Sequence, residues 1–294
     1  MRIEDASRKK SLESSHLNPR FSLPNPRFSI LSAMLLLSLI FALLPSFAWL
    51  LLFLHEDVHP EPNRLVIRAF IAGMLVTVPT VLVEGLLDCV IRSCAAPAPF
   101  AVLPDALRDI LYIFLGIALV EETMKYFAVR FAILRNPGFD EPIDALLYLV
   151  IAALGFAAVE NALTVAHASV QTAGFFGLEG VFVILGARSL SATLLHALAS
   201  GIVGYALARA FFRRHPLPLD LIFGIGVATL VHGAYNGLVG GLFPFLDSEQ
   251  AAVVNVVILL AATGGALIFM IRDLRQRSVR HRWRNAGDTA REIA

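Results

Sequence analysis

The chain is poor in charge and in cysteine. Only 16% of its 294 residues are charged and 57% are hydrophobic, which leaves too little polar surface for a soluble domain of this length. The formal net charge is +1, so no electrostatic field favours nucleic acid as a partner. The two cysteines, Cys89 and Cys94, are too few for a disulfide scaffold, and we interpret them as inert thiols.

Two further absences narrow the function. No GxSxG motif occurs, and both cysteines lie outside the region that carries polar motifs, which argues against serine and cysteine nucleophiles. The two halves of the chain show no matched repeat of broken apolar segments, although many transporters have one. A proton-coupled transporter or proton sensor is therefore an alternative of a different class, not the leading hypothesis.

What the sequence does contain is a series of long apolar segments. A spanning helix needs about 20 apolar residues, because each residue adds about 1.5 Å against a hydrocarbon core of about 30 Å. We therefore predict an all-α, polytopic transmembrane helix bundle with about eight spans and a polar site in the bundle interior. The predicted spans are 29–54, 65–91, 106–134, 143–166, 188–212, 219–243 and 251–271, with the shorter segment 173–186 counted as the eighth.

The basic residues predict the orientation. Arginine is concentrated in both terminal tails and in the connection 209–214, which predicts that both termini lie in the cytoplasm and that the number of spans is even. We expect a disordered basic tail over residues 1–27, a single transmembrane domain over 28–272 with its motifs in 106–240, and a basic tail over 273–294. The expected location is a bacterial cytoplasmic membrane.

Several predicted spans contain ionisable side chains. Each such residue costs about 2.5–3.5 kcal/mol at the centre of a spanning helix and is a functional candidate for that reason. Hydrogen bonding between helices is the alternative interpretation, and it fits the asparagines and the arginine better than the glutamates. The candidate catalytic residues are Glu121, Glu122, Lys125, Glu160, His196 and His232, and the supporting residues are Phe156, Asn161, Arg188 and Asn236.

The spacing of these residues indicates that they act together. Glu121 and Glu122 precede Lys125 by four and three residues, so one lysine can pair with either carboxylate on one helix face. With Glu160 and Arg188 included, three carboxylates face two cations. We expect a buried cluster to hold one further proton on a carboxyl group or a histidine, which suits general acid–base chemistry.

Four motifs, in their order along the chain, resemble the PrsW family of intramembrane proteases. They are EETMK at 121–125, FAAVEN at 156–161, the histidine of LLHALASG at 196, and HGAYN at 232–236. The same region is more distantly similar to the CAAX prenyl proteases and bacteriocin-processing enzymes. It departs from their motifs by a lysine one position before the usual arginine and by Glu160 in place of a histidine, as the PrsW branch does.

The resemblance implies an endopeptidase that acts on membrane-anchored proteins, such as an anti-sigma factor, within the lipid bilayer. Water would be activated by a glutamate and a histidine, and the resemblance leaves open whether Glu121 or Glu122 is the base. Asn236 would stabilise the oxyanion, and Glu160 would orient a histidine.

Zinc is the alternative for the mechanism. If a metal is bound, we expect His196, His232 and Glu122 as its ligands. Lys125 and Arg188 already nearly balance the carboxylates, so we predict catalysis without a cofactor.

The segment 55–59 reads His-Glu-Asp-Val-His and matches the zinc-protease motif HExxH. The motif requires a helix, but Pro60 and Pro62 follow at once, and we interpret the segment as a connection between spans. Glu84 and Asp88, one turn apart in the second predicted span, are interpreted as interfacial. If they face the bundle instead, they would line access for water or substrate.

Overall fold

The fold is a bundle of helices. The computed structural model describes residues 36–55, 61–93, 100–139, 141–171, 177–213, 218–243 and 248–293, and its regular structure there is entirely helical, as predicted. The α-helices are α1 (Leu44–His55), α2 (Asn63–Asp88), α3 (Asp105–Leu111), α4 (Leu119–Ala132), α5 (Pro142–Gln171), α6 (Gly177–Leu190), α7 (Ala192–Arg213), α8 (Pro218–Val239) and α9 (Glu249–Ile293). The tail predicted over 1–27 lies outside the described residues.

Six helical segments among the described residues are long and apolar enough to cross a membrane. The protein is therefore polytopic, but the predicted count of about eight spans is not confirmed. The segment counted as the eighth span lies partly in α6, which joins α7 through Ser191 alone, so that 179–209 forms one candidate span. The continuous helical stretch 105–132 is absent from the six because it carries too many charged residues.

Helix α5 lies in the middle of the bundle. Every side chain from 148 to 153 is fully buried. A Cβ atom on Gly73 of α2 would lie 1.9 Å from the carbonyl oxygen of Ala152, and one on Gly155 would lie 2.0 Å from that of Phe70. The two backbones therefore touch directly, which is typical of small residues between membrane helices. This contact fixes the helix that carries the second motif.

The outer surface of the bundle is apolar. Large hydrophobic side chains that would be buried in a soluble protein are exposed on several helices. Since such a surface has lipid as its natural solvent, the exposed side chains mark the face in contact with the bilayer. Examples are Leu51, Leu75, Leu82, Leu86, Phe223 and Phe269.

Two departures from regular α-helix lie beside the motif residues. A π-helical segment, Tyr112–Ala118, joins α3 to α4 three residues before Glu121. A single turn residue, Ser191, separates α6 from α7 five residues before His196. Such irregularities change the direction in which the following side chains point, and π-turns in particular are frequent at functional sites.

Candidate active site

Lys125 lies at the centre of the polar cluster. Its side chain is fully buried, and Nζ donates hydrogen bonds to Glu121 Oε2 at 3.0 Å and Glu122 Oε1 at 2.9 Å. The same nitrogen lies 2.8 Å from Nδ1 of His196 and 4.5 Å from the centroid of the Phe156 ring. One ammonium group therefore joins three motif helices, as the i,i+3 and i,i+4 spacing predicts for its two glutamates.

His196 is held between the lysine and a third glutamate. Because the ammonium group of Lys125 only donates, His196 Nδ1 accepts, and the hydrogen on Nε2 is directed to Glu160 Oε2 at 2.6 Å. Glu160 is in turn 3.5 Å from Nη2 of Arg188. A chain of charge-assisted contacts thus fixes the orientation of the His196 ring across α4, α5, α6 and α7.

Glu122 is the most completely bonded carboxylate of the cluster. In addition to the lysine, it contacts Nδ1 of His232 through Oε1 at 2.9 Å and accepts a hydrogen bond on Oε2 from Ser200 at 2.7 Å. Its side chain has no exposed surface. Glu122 therefore anchors the ring of His232 and has no surface left for a substrate.

Glu121 occupies a different position. Its Oε2 lies 3.6 Å from Nδ1 of His196 and 3.8 Å from Nε2 of His232. The two imidazole rings meet edge to face with their centroids 5.1 Å apart. The four motif helices thus converge, and Glu121 lies within reach of both histidines and the lysine.

The cluster borders a cavity of about 550 Å³. Glu121, Glu160 and both histidines contribute to its wall, whereas Glu122 and Lys125 do not. This difference separates two glutamates that are adjacent in sequence and pair with the same lysine. The polar and aromatic wall residues are Glu84, Arg92, Tyr112, Glu121, Glu160, Thr164, Arg188, His196, His232, Tyr235 and Asn236.

The supporting residues fall into two groups. Asn161 is buried and accepts a hydrogen bond from Nε of Arg188 at 2.6 Å while its own amide donates to Thr193 at 3.1 Å. It therefore positions the arginine and does not reach the cavity wall. Asn236 and Arg188 do line the cavity. Phe156 packs on both Lys125 and His196 and shields the cluster from one side.

Three residues near the cluster were not predicted as part of the site. Ser200 lies one turn after His196, so the i,i+4 spacing on α7 was a signal for its contact with Glu122. Thr193 carries no charge, and nothing in its sequence position singles it out. Glu84 was interpreted as interfacial, with a position lining access for water or substrate as the alternative, and its place on the cavity wall agrees with that alternative.

The cluster also has the donor atoms of a metal site. One ligand atom each from Glu121, Glu122, His196 and His232 can be chosen so that all four lie within 4.8 Å of one another. Two histidines and two carboxylates are a donor set that suits zinc. Of the HExxH segment, the structure describes only His55, at the exposed end of α1, and the remaining four residues lie outside the described part of the chain.

The apolar helices and the buried cluster of glutamates, histidines and a lysine beside a cavity define the class, a polytopic membrane protein with a polar site inside the bundle. The chain belongs to the PrsW family of intramembrane proteases. The family model described as "PrsW family intramembrane metalloprotease" matches residues 61–263, a range that contains all four motifs.

Individual relatives agree with this membership. Protease PrsW of Geobacillus kaustophilus is 31% identical over 188 residues, 63% of this chain and 72% of the relative. The Oceanobacillus iheyensis protein of the same name is 29% identical over 68% of this chain and 82% of the relative. The Bacillus subtilis protein is 27% identical over 65% and 76%. No solved structure matches the chain. The membership favours a peptidase over the transporter alternative.

Proposed function

We propose that this chain hydrolyses a peptide bond in a membrane-anchored protein, with water activated by Glu121 and a histidine and with no bound metal. The substrate class is a single-span regulator such as an anti-sigma factor. The proposed location is a bacterial cytoplasmic membrane, with both termini in the cytoplasm. The observation that carries the proposal is the position of Glu121, which faces the cavity while it contacts the lysine and lies near both imidazole rings.

In the proposed reaction, Glu121, Asn236 and His232 each carry out a different step. Glu121 takes a proton from a water in the cavity, and the water oxygen attacks the scissile carbonyl carbon. Asn236, one turn from His232 on the cavity wall, donates its amide N–H to the oxyanion that forms. The C–N bond then breaks as the nitrogen receives a proton through His232, which leaves a carboxylic acid and an amine.

The remaining residues hold these groups in place. Glu122 and Ser200 fix His232, and Glu160 with Arg188 fixes His196. Lys125 supplies the positive charge without which two adjacent buried carboxylates are not tolerated.

A zinc-dependent peptidase is the second candidate, and the donor set around Glu121, Glu122, His196 and His232 favours it. When bound, zinc would supply a Lewis acid that activates water and polarises the carbonyl group. Nζ of Lys125 lies within 3.0 Å of three of these four residues. A divalent ion would compete with the ammonium group for the same atoms, and we favour the metal-free mechanism for this reason.

The proposal is tested with the purified full-length protein in liposomes and a panel of single-span peptides carrying a fluorophore and a quencher. Wild type should cleave at least one peptide, whereas Glu121→Gln and His232→Ala should not. His55→Ala and His59→Ala are the matched controls and should cleave as wild type does. If the wild type cleaves no peptide of the panel, the proposed function fails.

The metal question has its own measurement. We expect activity to survive exhaustive treatment with a membrane-permeant zinc chelator and elemental analysis to find well under one zinc per chain. Activity that disappears on chelation and returns with one equivalent of zinc would establish the zinc mechanism. The cluster histidines would then be ligands, not proton carriers.

A further inference from the structure

Glu84 lies on α2, which carries none of the four motifs. Together with Val81 it contributes one part of the wall of the cavity that the catalytic cluster borders. Its Oε1 atom is buried and accepts no hydrogen bond from the described residues. A buried polar atom without a partner is uncommon in a folded protein and calls for a physical reason.

The other two carboxylates that face this cavity each have one oxygen, Oε2, in contact with a cation or a histidine. Glu121 accepts from Lys125 at 3.0 Å. Glu160 contacts His196 at 2.6 Å and Arg188 at 3.5 Å. Among the described carboxyl groups on the cavity wall, only Glu84 has a buried oxygen that is free to accept a hydrogen bond.

A substrate that enters this cavity must bring hydrogen-bond donors with it. A transmembrane segment is cut only after its helix opens locally, and opening separates main-chain N–H groups from their carbonyl partners. Each such group costs several kcal/mol in apolar surroundings unless an acceptor replaces the lost one. The enzyme therefore needs a free acceptor beside the reacting groups.

We propose that Glu84 is a substrate-binding residue whose Oε1 accepts a hydrogen bond from a main-chain N–H of the unwound substrate segment. The proposal rests on the proposed peptidase function. It gives a function to a buried carboxyl oxygen that accepts no hydrogen bond from the described residues. It also assigns a role in substrate binding to α2, a helix that carries none of the four motifs.

The variants that test this role separate binding from folding. Glu84→Leu removes the acceptor, and we expect it to weaken binding of a single-span peptide by about tenfold, as the loss of one hydrogen bond does. Because the substitution removes a buried oxygen that accepts no hydrogen bond from the described residues, the Tm of this variant should equal or exceed that of wild type. Glu84→Gln keeps an acceptor oxygen and should weaken binding by less than about threefold. Leu86→Ala, on the lipid-facing side of the same helix, is the control.

Binding is measured with the fluorescent peptides of the liposome panel, in a Glu121→Gln background so that cleavage does not interfere. N-methylation of the main-chain nitrogen that Glu84 contacts should weaken binding to the Glu84-containing protein and leave binding to the Glu84→Leu variant unchanged. A scan of N-methylated peptides should find one such position.

Several outcomes overturn the inference. They are equal binding by all Glu84 variants, equally weak binding by the Gln and Leu variants, a clearly lower Tm for Glu84→Leu, or no measurable binding of any peptide. Peptides that bind in a Glu84-dependent way but are never cut support the inference and overturn the proposed function. If wild type cuts a peptide, and the Glu84→Leu variant binds and cuts it equally well, the proposed function is supported and the inference about Glu84 is overturned.

Discussion

Two groups of charged residues in this protein each pair one cation with two carboxylates, but their surroundings differ. Around Lys125, glutamates at i,i+3 and i,i+4 pair with a fully buried ammonium group. Arg92, which also lines the cavity, pairs with Asp88 at 3.2 Å and with Asp109 at 2.9 Å, and these side chains are about 40% exposed (43%, 38% and 40%).

The comparison indicates that burial, more than pairing itself, decides how much stability is lost when one partner of an ion pair is removed. An exposed ion pair is screened by water and contributes about 0–1 kcal/mol to stability. A buried pair contributes little net stability, but the loss of one partner leaves a buried charge and costs about 3–5 kcal/mol. Substitution of one charged residue in the Lys125 cluster should therefore lower the stability of the protein, whereas substitution in the Arg92 group should have little effect. Four predictions test this contrast.

The largest effect concerns the adjacent glutamates. Glu121→Gln should lower kcat by about 10²–10⁴-fold, the range that general acid–base groups supply. Its Tm should fall only slightly, because Lys125 keeps Glu122 as a charged partner. Glu122→Gln should also lose activity but with a clearly lower Tm, because it disturbs Lys125, His232 and Ser200 at once. Both variants are compared in peptide-cleavage and thermal unfolding assays. Equal Tm losses for the two would contradict the different roles assigned to them.

The second effect is on stability. Lys125→Met keeps the volume of the side chain but leaves two buried carboxylates without a cation, and we expect it to lower the free energy of unfolding by about 3–5 kcal/mol. Reversible unfolding in mixed micelles measures this quantity. Lys125→Met combined with Glu121→Gln and Glu122→Gln removes the charges together and should recover part of the loss. Failure of the triple variant to recover any stability would count against a charge-based explanation.

A smaller effect is expected at Ser200, whose hydroxyl donates to Glu122 Oε2. Ser200→Ala leaves that buried oxygen without its donor and should cost about 1–3 kcal/mol. Ser191→Ala is the comparison, because its hydroxyl donates to the carbonyl of Ala187 and no carboxylate loses a donor when it is removed, and it should cost less than Ser200→Ala. If both variants lose the same free energy of unfolding in chemical denaturation, the hydrogen bond from Ser200 to Glu122 contributes no special stability.

The smallest effect belongs to the exposed group. Arg92→Gln should change the free energy of unfolding by less than about 1 kcal/mol, and added salt should reduce even that difference. The measurement is the same unfolding experiment at low and high ionic strength. A loss as large as that of Lys125→Met would remove the distinction between the two groups.

Sequence patterns predicted the elements and the motif residues, because both depend on local information. Apolar length predicts a spanning helix wherever it occurs, and the i,i+3 and i,i+4 spacing of Glu121, Glu122 and Lys125 places them on one helix face regardless of the rest of the fold. Counting spans was less successful. Apolarity does not tell whether α6 ends before α7 begins, since a single turn residue joins the two helices into one candidate span.

Only the tertiary structure distinguished residues that the sequence presents as equivalent. Glu121 and Glu122 are neighbours with the same lysine, yet only Glu121 faces the cavity. Glu84 and Asp88 lie one turn apart, yet Glu84 lines the cavity beside the Lys125 cluster and Asp88 pairs with Arg92. The physical reason is that the direction of a side chain relative to other helices depends on how those helices pack. That packing is set by long-range contacts such as the one between Gly73 and Ala152, which no local pattern contains.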